Sequence, residues 1–244
     1  MSRAQKALGT CSMFLLILAI LITSFQAAIY GDPQYGFYET EYEKYQVTEA
    51  LGMEMRDVME VTDHMMAYLI GAEEELSIVT HVDGEEQDFF NEQDRIHMAD
   101  VKNLFLGGLR ARTVCLILAA ILLVTLAVRK ADLKRFLPGC YFRAFGIFLV
   151  AVLFLAIAFA IDFTKCFTIF HEIFFTNDLW IFDPATDYMI RMLPEGFFAD
   201  MVARIGMFFL GALAALFVIF FLWYRSVRKK DQIHCADERK HVIM

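Results

Sequence analysis

Side chains capable of acid/base chemistry are concentrated in one segment, residues 169–198, which lies between two apolar stretches of the sequence. The segment has a single histidine, His171, followed by Glu172. Its other polar residues are interleaved with aromatic ones and include Asn177, Asp178, Asp183, Asp187 and Arg191. Ionisable groups next to membrane-spanning stretches are costly to keep there and usually have a function. The segment is therefore predicted to contain the functional site.

A second histidine, His97, precedes another apolar stretch. Histidine alone titrates near neutral pH without help, so a pair of histidines from two separate segments is the simplest general acid/base candidate. If the segment is helical, Asp100 lies one turn beyond His97 on the same face, where it either orients the imidazole or is merely solvated. Lys102 points to a different face of that helix.

Other chemistries fit the sequence poorly. His171 and Glu172 begin like the HExxH zinc motif, but Phe175 occupies the place of the second histidine. No GxSxG nucleophile motif occurs in the polar segments. The spacing of His64, His81, His97 and His171 is not diagnostic of a metal site. We expect neither a metal nor a cofactor.

The composition indicates an integral membrane protein. Hydrophobic residues make up 58% of the 244 residues, and the mean hydropathy is +0.49, which exceeds the usual range of soluble domains. The net charge of −8 argues against a nucleic-acid partner, although the acidic residues are not evenly spread. They lie almost wholly in the two polar segments between apolar stretches.

Four apolar stretches approach the roughly 20 residues that a bilayer core requires. We predict transmembrane helices at residues 12–30, 101–128, 141–161 and 205–224. They leave a leader (1–11), a first polar domain (31–100), a basic turn (129–140), a second polar loop (162–204) and a tail (225–244). Because Lys and Arg cluster in the leader, the turn and the proximal tail, both termini are predicted to be cytoplasmic and both polar segments extracytoplasmic.

The first apolar stretch has a rival interpretation as a cleaved signal peptide, since Arg3 and Lys6 precede it and Ala27 and Ala28 are small. Its length and weak cleavage pattern favour a transmembrane helix. The predicted fold class is therefore a mainly α, polytopic integral membrane protein. It has a small α+β extracytoplasmic domain between spans 1 and 2 and a helical elbow between spans 3 and 4.

Local patterns predict the elements of the polar segments. Residues 34–46 alternate aromatic and polar side chains and predict an extended segment, whereas residues 48–70 have helical spacing and end at Gly71. Asp83-Gly84 predicts the turn of a small hairpin, because both residues tolerate positive φ angles. Further along, either Asn91 or Asp94 caps a long helix that carries His97 into span 2.

The second polar loop is predicted to contain a helix, a break and another helix. Asp183 followed by Pro184 has the form of an N-cap and first helical residue, so a short helix is predicted over residues 184–193. Pro194 then ends this helix, and Glu195 begins the one that leads into span 4.

Two arginines lie close to the start of span 2. Its strictly apolar part, residues 113–128, is short, so Arg110 and Arg112 either reach back to the membrane surface or line a polar cavity. The second interpretation is slightly favoured.

Three stretches carry a resemblance to a known family. IHMADVKNLF at 96–105, AYLIG at 67–71 and FHEIFFTNDLWIFDPATDYMIRMLPEGFF at 170–198 resemble the signature segments of the lipoprotein intramolecular transacylase (Lit) family of Gram-positive bacteria. The likeness extends over nearly the whole chain in the order and polarity of the spans. The first outer segment and the tail carry no recognised motif.

The resemblance implies a plasma-membrane acyltransferase with an extracytoplasmic active site. Its substrate is a diacylglyceryl-modified lipoprotein, whose sn-2 acyl chain moves to the α-amino group of the N-terminal cysteine, giving the lyso form. The family's histidine dyad falls on His97 and His171, and membrane lipid is the other expected partner. The expected supporting or substrate-binding residues are Asp100, Asn177, Asp178 and Arg191.

Two other classes of function compete with this one. An outward-facing lipid or lipoprotein esterase would share the same histidines and differ only in its product. A non-catalytic membrane lipid-binding or sensor protein would lose no activity on replacement of His97. Transport is disfavoured because spans 1 and 4 have essentially no polar residues at mid-bilayer.

Overall fold

The computed structural model describes residues 2–243, with side chains described for residues 2–229 and 232. The tail prediction at 225–244 and the thiol of Cys235 therefore fall largely outside the described side chains. Two compact units are present. The first unit comprises residues 1–24, 111–156 and 207–244, and the second comprises residues 25–110 and 157–206.

The chain is mainly helical, as predicted, with a single pair of strands in the described part. The elements in chain order are α1 (Arg3–Tyr30), α2 (Gly36–Lys44), α3 (Val47–Leu51), α4 (Met55–Ile70), β1 (Val79–Val82), β2 (Glu85–Asp88), α5 (Glu92–Val128), α6 (Leu133–Ile161), α7 (Phe163–Phe174), α8 (Tyr188–Met192) and α9 (Glu195–Ile243).

Four of the helices are long and apolar enough to cross a membrane, which matches the predicted number of spans. They are α1, α5, α6 and the part of α9 from Glu195 to Lys229. In the most apolar 18 residues of α6 only 6% of the residues are buried. Apolar side chains exposed in this way are stable in lipid and not in water. Helices α6 and α9 begin at Leu133 and Glu195, before the predicted spans at 141 and 205.

The first unit has an aromatic core formed by α6 and α9. Tyr141 of α6 is fully buried and its ring stacks on Phe220 with centroids 4.3 Å apart. Its hydroxyl donates a hydrogen bond to the carbonyl of Leu213, at 3.0 Å. The phenol therefore buries its polar atom with a partner, as a membrane interior requires.

The predicted extended segment at 34–46 is wrong, because residues 36–44 form helix α2. Tyr38, Glu41 and Tyr42 are its buried residues, and their spacing of three and four positions places them on one helical face. Tyr42 is fully buried and its hydroxyl shares a 2.8 Å hydrogen bond with that of Thr62. The packing of this face stabilises a helix, although the two-residue alternation of aromatic side chains predicts a strand.

The single helix predicted over 48–70 is divided into α3 and α4. Gly52 ends α3 with φ +60°, a left-handed conformation that glycine adopts at no steric cost. The hairpin turn packs against this break, since the Asp83 N–H donates to the carbonyl of Leu51 at 3.0 Å. Gly71 ends α4 with φ +81°, which confirms the predicted stop.

The predicted hairpin is confirmed. Strands β1 and β2 are antiparallel, with Val82 opposite Glu85. The two residues between them, Asp83 and Gly84, have φ values of 52° and 84°. Two consecutive positive φ angles define the tight turn whose twist matches that of the strands.

The helix predicted over 184–193 is shorter than expected, because α8 spans only Tyr188–Met192. Residues 183–187 form a turn in which the Asp183 carbonyl accepts the N–H groups of Thr186 and Asp187, at 3.0 and 2.8 Å. The Asp187 carboxylate accepts the Asp183 N–H at 2.7 Å, which closes the turn and delays the helix. The break at Pro194 is confirmed, since α9 begins at Glu195.

Candidate active site

His97 lies in the second turn of α5, and the start of that helix is fixed by reciprocal caps. The Asp94 N–H donates to Asn91 Oδ1 at 2.9 Å, and the Asn91 N–H donates to Asp94 Oδ2 at 3.0 Å. Two backbone donors that the helix leaves unpaired are thereby satisfied. Of the two residues predicted as possible caps, Asn91 is therefore the N-cap. Asp94 is its hydrogen-bonding partner three residues later.

His171 lies in the last turn of α7, a helix that the sequence reasoning did not predict. Asp162 caps its start by accepting the Lys165 N–H at 2.9 Å. The His171 Nδ1 lies 2.8 Å from the carbonyl oxygen of Phe167. Because a carbonyl oxygen only accepts hydrogen bonds, Nδ1 carries the hydrogen and donates it. The Nε2 of the neutral ring is therefore an unprotonated base.

The two imidazoles lie side by side inside the second unit. Their ring centroids are 6.0 Å apart and their planes are inclined by 27°. His97 is 6% exposed and His171 is 7% exposed. The structure thus brings together two histidines that are 74 positions apart in the chain.

Aromatic side chains enclose the histidine pair. Trp180 stacks on His171 with centroids 4.8 Å apart, and Phe167 contacts the same imidazole at 4.2 Å. Phe175 and Phe182 meet the ring of His97 edge-on, at 5.1 and 5.4 Å. Phe174, which lies next to Phe175 in the chain, is 51% exposed and does not contribute to this enclosure.

Burial keeps both imidazoles neutral at pH 7. His97 lies in the polar part of α5, well before the apolar stretch that begins near Thr113. Burial, reinforced by the neighbouring His171 and opposed by Asp100, lowers the pKa of His97 to about 4. Burial also lowers the pKa of His171, opposed by the hydrogen bond to Phe167. A neutral imidazole is the form that can accept a proton.

Asp100 lies one turn beyond His97, but its hydrogen bond is made elsewhere. Its Oδ2 accepts a hydrogen bond from Asn177 Nδ2 at 2.9 Å, and Asn177 Oδ1 in turn accepts the Leu179 N–H at 3.1 Å. The buried Nδ1 of His97 has no hydrogen-bond partner among the described residues. Asp100 therefore anchors Asn177 and acts on His97 only through its charge.

Polar residues at the start of α5 hold the loop that carries the aromatic rings. Gln93 Nε2 donates to the carbonyls of Leu179 and Ile181, at 3.1 and 2.9 Å. Asn91 Nδ2 donates to the carboxylate of Asp187 at 2.8 Å. Gln93 was not predicted from the sequence. Its position in the first turn of α5 is the only sequence feature that could have suggested a contact with the loop.

Two of the predicted supporting residues, Asp178 and Arg191, are joined neither to the histidines nor to the Asp100–Asn177 pair by any described hydrogen bond. Asp178 is exposed, and no side-chain hydrogen bond joins it to the described residues. Arg191 Nη1 donates to the Ala50 carbonyl at 2.9 Å, and its guanidinium pairs with Asp83 at 3.2 Å. Arg191 therefore connects α8 to the hairpin turn and to the end of α3.

The remaining histidines of the second unit do not form a metal site with the pair. His64 Nε2 accepts the Ser77 N–H at 3.3 Å, and His81 lies opposite Glu86 in the register of the hairpin. In the described part of the chain, no group of three His, Cys, Asp or Glu side chains is arranged to hold a metal ion.

Histidine titration followed by NMR of selectively labelled protein should detect the effect of burial directly. Because both pKa values are lowered from 6.5, we expect the titration midpoints of the His97 and His171 ring signals to lie below pH 6.5. Protonation of His97 should begin only well below pH 6.5. His97→Gln and His171→Gln variants assign the two signals, and a midpoint at or above 6.5 for either ring would contradict the inferred burial effect.

Comparisons with known proteins agree with the architecture. The sequence model of the family described as lipoprotein intramolecular transacylase Lit matches residues 10–198. A solved structure of the membrane integral lipoprotein intramolecular transacylase Lit from Bacillus cereus has a TM-score of 0.72 at 24% identity, covering 96% of this chain and 100% of that one. A histidine-to-alanine variant of the same Bacillus cereus protein has a TM-score of 0.69 at 24% identity, over 94% of this chain and 96% of that one. No curated protein sequence matches the chain.

Proposed function

Because the chain belongs to the lipoprotein intramolecular transacylase family, and is thus a multi-pass membrane enzyme, we propose that it transfers the sn-2 acyl chain of a diacylglyceryl-modified lipoprotein. The acceptor is the α-amino group of the lipid-bearing N-terminal cysteine, and the product is the lyso form. The observation that carries this proposal is the pair of buried, neutral imidazoles, His97 and His171, enclosed by aromatic rings.

His171 is the general base in this proposal. The α-amino group has an ordinary pKa near ~8 and is mostly protonated at neutral pH, so a base must remove a proton before the nitrogen attacks. The Phe167 carbonyl holds the hydrogen of His171 on Nδ1. That hydrogen bond leaves Nε2 with a lone pair, and it also stabilises the imidazolium that forms when the amine loses its proton.

His97 is the hydrogen-bond donor. Its Nδ1 is buried without a partner among the described residues, and an unpaired buried N–H is rarer in proteins than an unpaired acceptor. The hydrogen of the neutral ring is therefore assigned to Nε2. From there it stabilises the oxyanion of the tetrahedral intermediate or protonates the departing glyceryl oxygen. Asn177 has a second amide hydrogen that its bond to Asp100 does not use, and it supplies a further donor.

The reaction needs no water, metal or separate acyl donor. The ammonium first loses one proton through His171 to the surroundings, which leaves a neutral amine and a neutral imidazole. The amine nitrogen then attacks the sn-2 carbonyl carbon, and its second proton passes to His171. The bond from that carbon to the glyceryl oxygen breaks and the oxygen takes this proton, relayed from His171 through His97, so the products are an amide and a free hydroxyl. Amine and ester belong to one molecule, and well-oriented intramolecular reactions reach effective molarities of ~10⁵ M or more.

Exclusion of water separates transfer from hydrolysis. A site that activates an amine beside an ester also activates water. The rings of Trp180, Phe175 and Phe182 cover the imidazoles, and this enclosure favours the amine as the nucleophile. Without this enclosure water would be the nucleophile, and the same histidines would act as an esterase.

Orientation in the membrane forms part of the proposal. The basic clusters in the leader, in the turn at 129–140 and in the proximal tail support cytoplasmic termini. Residues 31–100 and 162–204, which include both histidines, are then extracytoplasmic. That is the side on which a lipoprotein lies after its signal peptide has been removed.

A labelled substrate tests the proposal. The purified chain in nanodiscs is given a diacylglyceryl lipopeptide that carries an isotope-labelled acyl chain at sn-2, and the products are analysed by tandem mass spectrometry. We expect the label to appear as an amide on the N-terminal cysteine, with no change in total mass. Labelled free fatty acid with a free amine would identify an esterase. An unchanged lipopeptide would support the non-catalytic alternative.

A further inference from the structure

A surface cavity of about 400 Å³ lies between α1 and α6 in the first unit. Its lining residues are Lys6, Ala7, Thr10, Cys11 and Phe14 from α1 and Arg143 from α6. On α1 positions 6, 10 and 14 are four residues apart, and positions 7, 11 and 14 are four and three apart, so all five form one stripe along the helix. The proposed transfer reaction uses none of them.

The two helices that form the cavity are in close contact next to it. A Cβ atom on Gly9 would lie 2.6 Å from the ring of Phe136 and 2.9 Å from Sγ of Cys140, so only glycine fits there. The Cys140 thiol also donates to the Lys6 carbonyl, at 3.7 Å. Because α1 and α6 are held together at this point, the position of Lys6 relative to Arg143 is fixed by packing.

The two basic side chains of the cavity lack an anionic partner within residues 2–229. No ion pair or side-chain hydrogen bond is made there by Lys6 or by Arg143, whereas some cations of the second unit, such as Lys44 and Arg95, pair with a carboxylate. Two like charges at one cavity repel each other. An anion bound between them would remove that repulsion.

The cavity also has an apolar wall. Phe14 is 37% exposed, and its ring packs on Phe148 of α6 with centroids 4.8 Å apart. From Arg143, helix α6 continues to Ile161, a length of about 27 Å at 1.5 Å per residue. A bilayer core is about 30 Å thick. If Ile161 lies at one membrane boundary, Arg143 lies near the other, at the level of the lipid head groups.

We propose that this cavity binds an anionic glycerophospholipid. Arg143 presents a planar fork of donors that matches phosphate oxygens, Lys6 adds a second charge, and the Thr10 hydroxyl is a further donor. An acyl chain of the same lipid lies against the exposed part of Phe14, whose ring is backed by Phe148. Basic pockets between transmembrane helices hold anionic head groups in this way. A free phosphate ion would gain nothing from the aromatic wall, so the lipid is the occupant that fits both parts of the cavity.

Native mass spectrometry of the full chain tests this inference. The protein is mixed with phosphatidylglycerol or with phosphatidylcholine of identical acyl chains, and bound lipids are counted. We expect a phosphatidylglycerol bound to the wild-type protein that phosphatidylcholine does not replace. In the Lys6→Gln/Arg143→Gln variant its affinity should fall about 30-fold, since two basic residues at a membrane surface contribute a factor of that order.

A charge-matched variant provides the control. Arg129→Gln/Lys134→Gln removes two exposed cations that do not line the cavity, and its phosphatidylglycerol affinity should stay within threefold of wild type. Equal losses in both double variants would show a general charge effect and overturn the assignment. Displacement of the lipid by millimolar inorganic phosphate would do the same, because it would identify a free-anion site. An unchanged elution volume in size-exclusion chromatography verifies that each variant is folded.

Discussion

Replacing either His97 or His171 with alanine is expected to lower the rate of acyl transfer by about 10²–10⁴-fold, the range that one positioned acid or base contributes. Both imidazoles lie within one aromatic enclosure, and no third histidine joins them there among the described residues. The measurement is the initial rate of amide formation on a diacylglyceryl lipopeptide, with the enzyme in nanodiscs at pH 7.

Two other histidines of the second unit provide matched controls. His64→Ala and His81→Ala remove the same side chain from α4 and from the hairpin, and their rates should stay within about threefold of wild type. If a His97 or His171 variant kept a rate in that range too, the proposed acid/base roles would be refuted.

The pH dependence of the two variants separates the roles of the histidines. Without the base His171, the reaction depends on the fraction of substrate amine that is already deprotonated, which rises until the pH passes ~8. The His171→Ala variant should therefore regain part of its rate between pH 7 and 9. His97→Ala should not, because a raised pH supplies no hydrogen-bond donor for the oxyanion. The opposite pattern would exchange the two assignments.

The number of membrane helices could be predicted because it depends on local composition alone. An apolar run near 20 residues long has few alternatives to a helix in lipid. The hairpin turn at Asp83-Gly84 and the helix stops at Gly71 and Pro194 were equally local, since each depends on the allowed φ angles of one or two residues. For the start of α5 the sequence narrows the cap to Asn91 or Asp94, and the structure assigns it to Asn91.

The errors occurred where contacts between distant segments decided the structure. The sequence predicts an extended segment where α2 lies, because the alternation of aromatic and polar residues is visible in it. The packing of Tyr38 and Tyr42 on Phe197 is not visible there. The break at Gly52 depends on the hairpin turn that packs against it. No pattern within residues 48–70 reports that contact.

At the candidate site, too, features that depend on residue type could be predicted, and features that depend on long-range contacts could not. His97 and His171 were identified from residue types and motifs, because few other groups titrate near neutral pH. Asp100 accepts its hydrogen bond from Asn177 and makes none with His97. Asn177 lies in a loop, 77 positions further along the chain. The contacts of Arg191 with Asp83 and Ala50 are likewise long-range. Spacing along the chain carries no information about such pairs.

Replacing Asp187 with alanine is expected to have the largest effect of any change outside the histidine pair. Its carboxylate accepts three hydrogen bonds, from Asn91 Nδ2 at 2.8 Å, the Asp183 N–H at 2.7 Å and the Thr186 hydroxyl at 3.2 Å. The residue is 6% exposed, so water does not readily replace the lost acceptor. Hydrogen bonds to a charged group contribute about 1.5–3 kcal/mol each. Because the three are not independent, we expect a loss of about 2–4 kcal/mol in the free energy of unfolding.

The same change should reduce activity, since Asp187 connects the cap of the His97 helix to the loop that carries Trp180 and Phe182. We expect at least a tenfold lower rate of amide formation, together with an increased share of hydrolysed acyl chain, because a displaced loop admits water to the imidazoles. Asp187→Asn keeps one acceptor oxygen and should be intermediate in both respects. Asp178→Ala, which removes an exposed carboxylate from the same loop, should change stability by less than about 0.5 kcal/mol. Denaturant titration and product analysis check these outcomes, and an Asp187→Ala protein as stable and as selective as the Asp178→Ala protein would show that the loop is held in place by its aromatic packing alone.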